Sequence, residues 1–255
     1  MRGWLRFYAA SVRLGFGYLL RHGYLREAVV RVVVPLDPSR YVELPDVAGE
    51  LGARPGEQVL DLASPKLLAA ALARDGVGVT SVDQLESEIE TWRKLAPEVR
   101  FEVGDGRSLP FADASFDRAY SVSVLEHIPE GGDEAALGEL ARVVKPGGRV
   151  VVTLPYARSC REEWREHDVY AEGEERGGRY FFQRWYDDKR LEQLVSAVPA
   201  LEVVSRRVAR LQPNWNSAYT RTFPLLVPLG PFFGLLARER EGPDGDVVRL
   251  TFIRR

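Results

Sequence analysis

Glu57-Gln-Val-Leu-Asp-Leu62, the Ala/Leu-rich residues 65–75 and Gly78-Val-Thr-Ser-Val-Asp83 follow one another without a break, and their rhythm decides the fold. Two short aliphatic runs, each carrying an aspartate at or near its end, flank a helical stretch. The same alternation continues downstream. Residues 86–95 read as a helix, Arg100-Phe-Glu-Val103 as a third strand, and Phe116 to Val124 as a fourth, introduced by the turn Asp113–Ser115. Residues 133–144 read as a helix with Leu137, Leu140 and Val144 on one face. Pro146-Gly147-Gly148 ends it, and Arg149 to Leu154 is a fifth strand. Asp187 is placed to cap a helix over 188–197, whose Leu191, Leu194 and Val195 form an apolar stripe. Leu201–Val208 and Val247–Ile253 supply the last two strands. The expectation is an α/β fold: a seven-stranded, mostly parallel sheet with helices on both faces.

Two regions stand apart from this rhythm. Residues 1–50 read as an N-terminal helical appendage, broken by Pro35, Pro38 and Pro45, before a domain over 51–255. Within that domain, insertions are expected at about 156–186 and 211–241. The first is rich in aromatics, among them Tyr156, Trp164, Tyr170, Phe181, Phe182 and Trp185. The second contains the uncharged, apolar stretch Phe223–Ala237, whose Pro224, Pro228 and Pro231 exclude one straight helix. A lid, a contact between copies in a homo-oligomer, and a wedge at a membrane surface all fit that composition.

Composition narrows the function class. The formal net charge of −2 gives no electrostatic case for nucleic acid. Cys160 is the only cysteine, so no intramolecular disulfide can form, and nothing suggests a metal site. Arginine outnumbers lysine thirty-one to four, a skew that looks like coding bias. Arg6, Arg13, Arg21, Arg26 and Arg31 interrupt the apolar N-terminal region, so no run approaches the ~20 apolar residues of a membrane span. The chain reads as cytoplasmic. Residues 1–40 nevertheless carry seven arginines against Glu27 and Asp37, interleaved with Trp4, Phe7, Tyr8, Phe16 and Tyr18. Basic plus aromatic composition of this kind suits peripheral contact with anionic lipid.

In an open parallel sheet, ligands bind outside the carboxyl ends of the strands. Asp61, Asp83 and Asp105 fall at or just past three consecutive strand ends, each 22 residues from the next. A single such aspartate is ordinarily a solvated strand end; three in succession point to a site.

Three stretches make the family recognisable: Val103-Gly-Asp-Gly-Arg-Ser-Leu-Pro-Phe-Ala-Asp-Ala-Ser-Phe-Asp117, Ser123-Val-Leu-Glu-His-Ile128 and Leu140-Ala-Arg-Val-Val-Lys-Pro-Gly-Gly148. In this order they resemble the class I methyltransferases that use S-adenosylmethionine (SAM) on small molecules, over roughly residues 55–156. The resemblance implies a Rossmann-like sheet and a role for each matching position. Asp83 would accept hydrogen bonds from the two ribose hydroxyls. Asp105 would take the adenine amino group, with the main chain of Gly106 against the ring and Leu109 and Phe111 packed nearby. Ser123 and Val124 would lie beside the methionine moiety, and His127 would face the reaction centre.

One motif departs from the family. Its first loop has an acidic residue, an apolar one, then three alternating glycines; here the order is Asp61-Leu-Ala63-Ser-Pro65-Lys-Leu67, with no glycine. Either small Ala63 and Ser64 keep the site, with Ser64 capping the next helix, Pro65 in its first position and Lys66 pairing with the cofactor carboxylate, or the loop has collapsed and SAM is no longer bound. The first reading gives a SAM-dependent methyltransferase for a small-molecule or lipid-like acceptor. His127 would be the base and oxygen the preferred nucleophile. His167 and Tyr170 are weaker base candidates. The second gives a catalytically silent binding or partner subunit. A dehydrogenase is disfavoured, since no Gly-x-Gly-x-x-Gly follows the first strand.

Overall fold

The computed structural model describes residues 3–23, 25, 29, 40–129, 131–169, 174–212, 238–242 and 246–255. Pro35, Pro38, Tyr170 and the apolar stretch 223–237 lie outside them. The helices α1 (Gly3–His22) and α2 (Arg40–Leu51) precede an alternation of strands and helices. It runs β1 (Gln58–Leu62), α3 (Leu67–Arg74), β2 (Gly78–Asp83), α4 (Glu86–Leu95), β3 (Arg100–Val103) and β4 (Phe116–Val122). A 3-10 turn at Leu125–His127, α5 (Gly132–Val143) and β5 (Val144–Pro155) follow. The chain then forms β6 (Arg161–Arg165), β7 (Glu175–Arg176), β8 (Arg179–Trp185), α6 (Asp188–Ser196), β9 (Leu201–Gln212), β10 (Arg238–Glu241) and β11 (Val247–Arg254).

The main sheet has the order β10-β9-β11-β5-β4-β1-β2-β3. Strands β1 to β5 pair in parallel, and β11 runs antiparallel between β5 and β9. The seven expected strands are all present. The eighth, β10, is a short strand paired antiparallel to β9, from a segment read in the sequence as part of the second insertion. Strand β5 also begins earlier than expected. Val144 already pairs with Phe116, and the Pro146-Gly147-Gly148 turn becomes an irregularity inside the strand rather than a stop before it.

The period-2 alternation of each strand sorts its residues between two cores. Val59, Val79, Phe101, Tyr120, Val122 and Val151 face one side, where α1 to α4 pack through Phe7, Leu14, Leu44, Val47, Leu68, Ile89 and Trp92. Leu60, Leu62, Val82, Ala119, Val150 and Val152 face the other, against Leu137 and Leu140 of α5 and Leu191 and Leu194 of α6. The N-terminal helices thus share a core with the alternating unit. Asp187 caps α6 as expected, its carboxylate accepting from Arg190 N at 2.9 Å.

The 156–186 insertion forms a second, antiparallel sheet of order β6-β8-β7. Asp133 in the first turn of α5 ties it down. This fully buried carboxylate accepts from Tyr186 Oη at 2.8 Å and from Arg190 at 2.7 and 3.0 Å, and lies 3.0 Å from Arg184.

Candidate active site

Because β1 connects through β2 to β3 on one side while β4 and β5 lie on the other, the strand order reverses beside β1. A crevice at the carboxyl ends follows from that reversal. There the structure has a cavity of about 250 Å³. Its walls come from Leu62 and Ala63 after β1, Asp83 to Leu85 after β2, and Gly104 to Arg107 after β3. Ser123 to Pro129 after β4 contribute Ser123, Val124, His127 and Ile128, and the insertion adds Phe181.

The glycine-free loop keeps a glycine-like course. Ala63 has φ of +50°, in the left-handed region that disfavours a Cβ, and its N–H donates to Val82 O at 2.7 Å. Ser64 turns inward: its N–H donates to Asp61 Oδ1 at 3.1 Å, and its Oγ accepts from Val122 N at 2.9 Å. It therefore does not cap α3, which starts at Leu67 with Lys66 in the cap position and no side-chain cap bond. Pro65 correspondingly precedes the cap instead of opening the helix. Asp61 is fully buried, its carboxylate also accepting from Ser81 Oγ at 2.7 Å. Burial raises its pKa, opposed by the Lys66 charge and the bonds from Ser81 and Ser64.

Lys66 departs from expectation. Its side chain has no exposure, and its Nζ donates to Ser64 O at 3.0 Å and Asp83 Oδ2 at 2.6 Å. The ammonium that was expected to face a cofactor carboxylate is instead the ion-pair partner of Asp83. The other Asp83 oxygen accepts from Leu85 N at 3.0 Å. An ionised carboxylate offers about four acceptor positions, so roughly two remain for a ligand.

Asp105 lies at the cavity edge, its carboxylate bound by Arg107 through the main-chain N–H at 2.8 Å and the guanidinium at 2.7 to 3.0 Å. The Arg107 bonds hold its pKa below the ordinary value. Beside it, a Cβ on Gly106 would come within 2.9 Å of Leu62 Cδ1, so a larger residue there would have to displace the Leu62 side chain. Leu109 and Phe111 do not line the cavity. Leu109 is buried in the second core, and Phe111 stacks edge-on against Phe116 at 5.1 Å.

Ser123, the other non-glycine cavity residue with positive φ (+54°), leads from β4 into the 3-10 turn. Its hydroxyl accepts from Arg40 at 3.2 Å and donates to Glu43 Oε1 at 3.5 Å, a carboxylate that also accepts from Thr153 Oγ1 at 2.6 Å. The first turn of α2 thereby borders the site. His127 Nδ1 lies 2.6 Å from the carbonyl oxygen of Phe182 in β8. A carbonyl only accepts, so Nδ1 carries the proton and Nε2 of the neutral ring is the basic nitrogen. Burial lowers the His127 pKa. Glu126 is 2% exposed, and its Oε2 meets no hydrogen-bond partner among the described residues. Burial pushes this carboxyl up to about 8.

Of the residues singled out in the sequence, Ala63, Asp83, Asp105, Gly106, Ser123 and His127 meet at the cavity. Asp61, Ser64 and Lys66 form the buried layer behind it. His167 is exposed and away from the cavity. Arg40, Glu43 and Glu126 were not singled out. Glu126 stood inside a quoted motif, whereas Arg40 and Glu43 come from the N-terminal region and reach the site only through the fold.

Residues 60–152 match a family model described as a methyltransferase domain. This segment is therefore similar to the methyltransferase domains of that family. Over 112 residues it is 44% identical to the demethylmenaquinone methyltransferase of Beutenbergia cavernae, a match covering 42% of this chain and 46% of that protein. An O-methyltransferase of Pyrenophora dematioidea is 30% identical over 132 residues, covering 46% and 49%. The chain spans about half the length of the curated relatives it matches. Among solved structures, the 1,6-didemethyltoxoflavin-N1-methyltransferase of Burkholderia thailandensis matches over 97% of this chain and 88% of its own, with a TM-score of 0.55 and 18% identity. That likeness extends the methyltransferase fold beyond the matched segment.

Proposed function

We propose that this chain transfers a methyl group from SAM to a small-molecule or lipid-like acceptor, with an oxygen nucleophile preferred. One observation carries the reading: Asp83, Asp105 and Gly106, from two successive strand ends, share a single cavity with His127. The residues fit the cofactor. Asp83 keeps acceptor positions for a ribose diol, Gly106 lines the same cavity, where a flat base could lie along its main chain, and Ala63 follows a glycine-like path. Bound SAM supplies an electrophilic methyl on a sulfonium.

The protein's own work is alignment, exclusion of water and removal of one proton. Alignment of reacting groups lowers barriers by on the order of 7–11 kcal/mol in favourable cases. His127 Nε2 accepts the acceptor's proton, since Nδ1 is already committed to the Phe182 carbonyl. Phe181 gives an apolar wall on the insertion side, suited to an apolar or ring-shaped acceptor. The names of the relatives, one a demethylmenaquinone methyltransferase and one an O-methyltransferase, support the same acceptor class.

A second reading has its own support. Lys66 already occupies Asp83 and Arg107 occupies Asp105, as in a domain that has given up its cofactor. Calorimetric titration of SAM and of S-adenosylhomocysteine separates the two. Micromolar binding that disappears in Asp83→Ala is expected; absence of binding by either ligand would favour the silent partner subunit.

A further inference from the structure

A loop without glycines has to be held in shape by something else. Residues 63–67 contain Pro65, which has no N–H to give, and Ala63 in a conformation its Cβ opposes. Burying an ammonium among these residues is unfavourable unless its donors are satisfied. Lys66 is nevertheless among the largest fully buried side chains of the described residues. It satisfies two donors at once, on the loop carbonyl of Ser64 and on Asp83 Oδ2, and so bridges the β1 loop to the end of β2. The opposite oxygen of Asp83 is pinned by the Leu85 amide. A carboxylate fixed at both oxygens, one from each side, has a set orientation toward the cavity that it lines.

We infer that Lys66 is a positioning residue that takes over from the missing glycines, bracing the first loop and orienting Asp83 to receive a vicinal diol. This rests on the cofactor reading above and changes the role of one residue within it. Lys66 acts on the ligand through Asp83 and does not touch it.

The test compares wild-type protein with Lys66→Met, and with Lys66→Gln, which retains a neutral donor if the methionine variant does not fold. The first measurement is amide exchange at Leu85 without ligand: faster exchange in the variants is expected, and unchanged exchange overturns the bracing role. The second is binding of S-adenosylhomocysteine, adenosine and 2′-deoxyadenosine. Loss of an oriented charge-assisted bond should weaken S-adenosylhomocysteine about ten-fold in Lys66→Met. The preference of the wild type for adenosine over 2′-deoxyadenosine should shrink with it, a change that general loosening of the fold would not select. Retention of both affinity and diol preference overturns the inference. So does tighter binding, which would make Lys66 a plug. Failure of the wild type to bind any of the three overturns the cofactor reading instead, while exchange at Leu85 still decides whether Lys66 braces Asp83.

Discussion

Glu126 shows how a single buried group sets a pH limit. Its carboxyl ionises near 8 in the fold against 4.5 as a free side chain, chiefly through burial; the neighbouring Arg40 charge opposes the rise and Glu43 adds to it. The folded state therefore keeps a proton that the unfolded chain has released. This contribution to stability is full below pH 4.5, falls as pH rises through the interval and is gone above about 8. Glu126→Gln should flatten that slope and leave the variant more stable than wild type at pH 9, by on the order of a few kcal/mol. Urea unfolding at pH 5, 7 and 9 checks it; parallel curves for the two proteins would refute the assignment. At this scale the sequence was legible where a residue type had a geometric reason. Asp83 and Asp105 stand at or just past strand ends, and their place at the cavity follows from the alternation, whereas Gly106 was marked only by the family resemblance. Lys66 was misread because its partner is chosen by side-chain reach across the loop, which spacing does not encode. Glu126 was unmarked because its burial comes from β8, α5 and β5 packing on the 3-10 turn, an arrangement that only the fold sets.

At the scale of elements, the strands that bury both faces were the most legible, since continuous aliphatic runs leave little choice of state. Strands β2 and β3 have the expected bounds, whereas β5 starts before its glycine turn because Val144 finds Phe116 across the sheet. The aromatic insertion gave no strand period and forms a sheet only because β6 and β7 both pair with β8. Tyr156 and Tyr186 anchor it in the second core, and a buried charge adds to that anchorage. Asp133 gathers Tyr186, Arg190 and Arg184 around one buried carboxylate, and Asp133→Asn strands two arginines beside a neutral amide. Breaking a buried pair in this way costs about 3 kcal/mol. Chemical denaturation should register that loss, together with faster proteolysis within β6 to β8. A change below 0.5 kcal/mol would assign the attachment to packing alone.

For the molecule as a whole, the N-terminal helices present two faces. Inward, Phe7, Leu14 and Tyr18 of α1 complete the core; outward, Phe16 and Leu20 are 54% and 85% exposed beside exposed Arg13 and Arg21. No helix among the described residues is long and apolar enough to cross a membrane. A surface docked on anionic lipid is the proposal that suits this face, and it agrees with a lipid-like acceptor. Co-sedimentation with vesicles containing phosphatidylglycerol should therefore succeed at low salt and fail at high salt or with phosphatidylcholine alone. Phe16→Ser with Leu20→Ser should reduce it several-fold; equal binding by this double variant would locate any lipid contact elsewhere.

The order of strands in the sheet also constrains how the chain is made. Among the described residues, strand β9 has only β10 and β11 for neighbours, and β11 lies between it and β5. During synthesis β9 leaves the ribosome before either neighbour exists, while β5 still shows an open edge. The half of the sheet that carries β1 to β4 can assemble early, but β5 and β9 must wait for β11 to enter between them. A nascent chain stalled before residue 247 would expose two unpaired edges at once, and such intermediates are the ones that chaperones must shield.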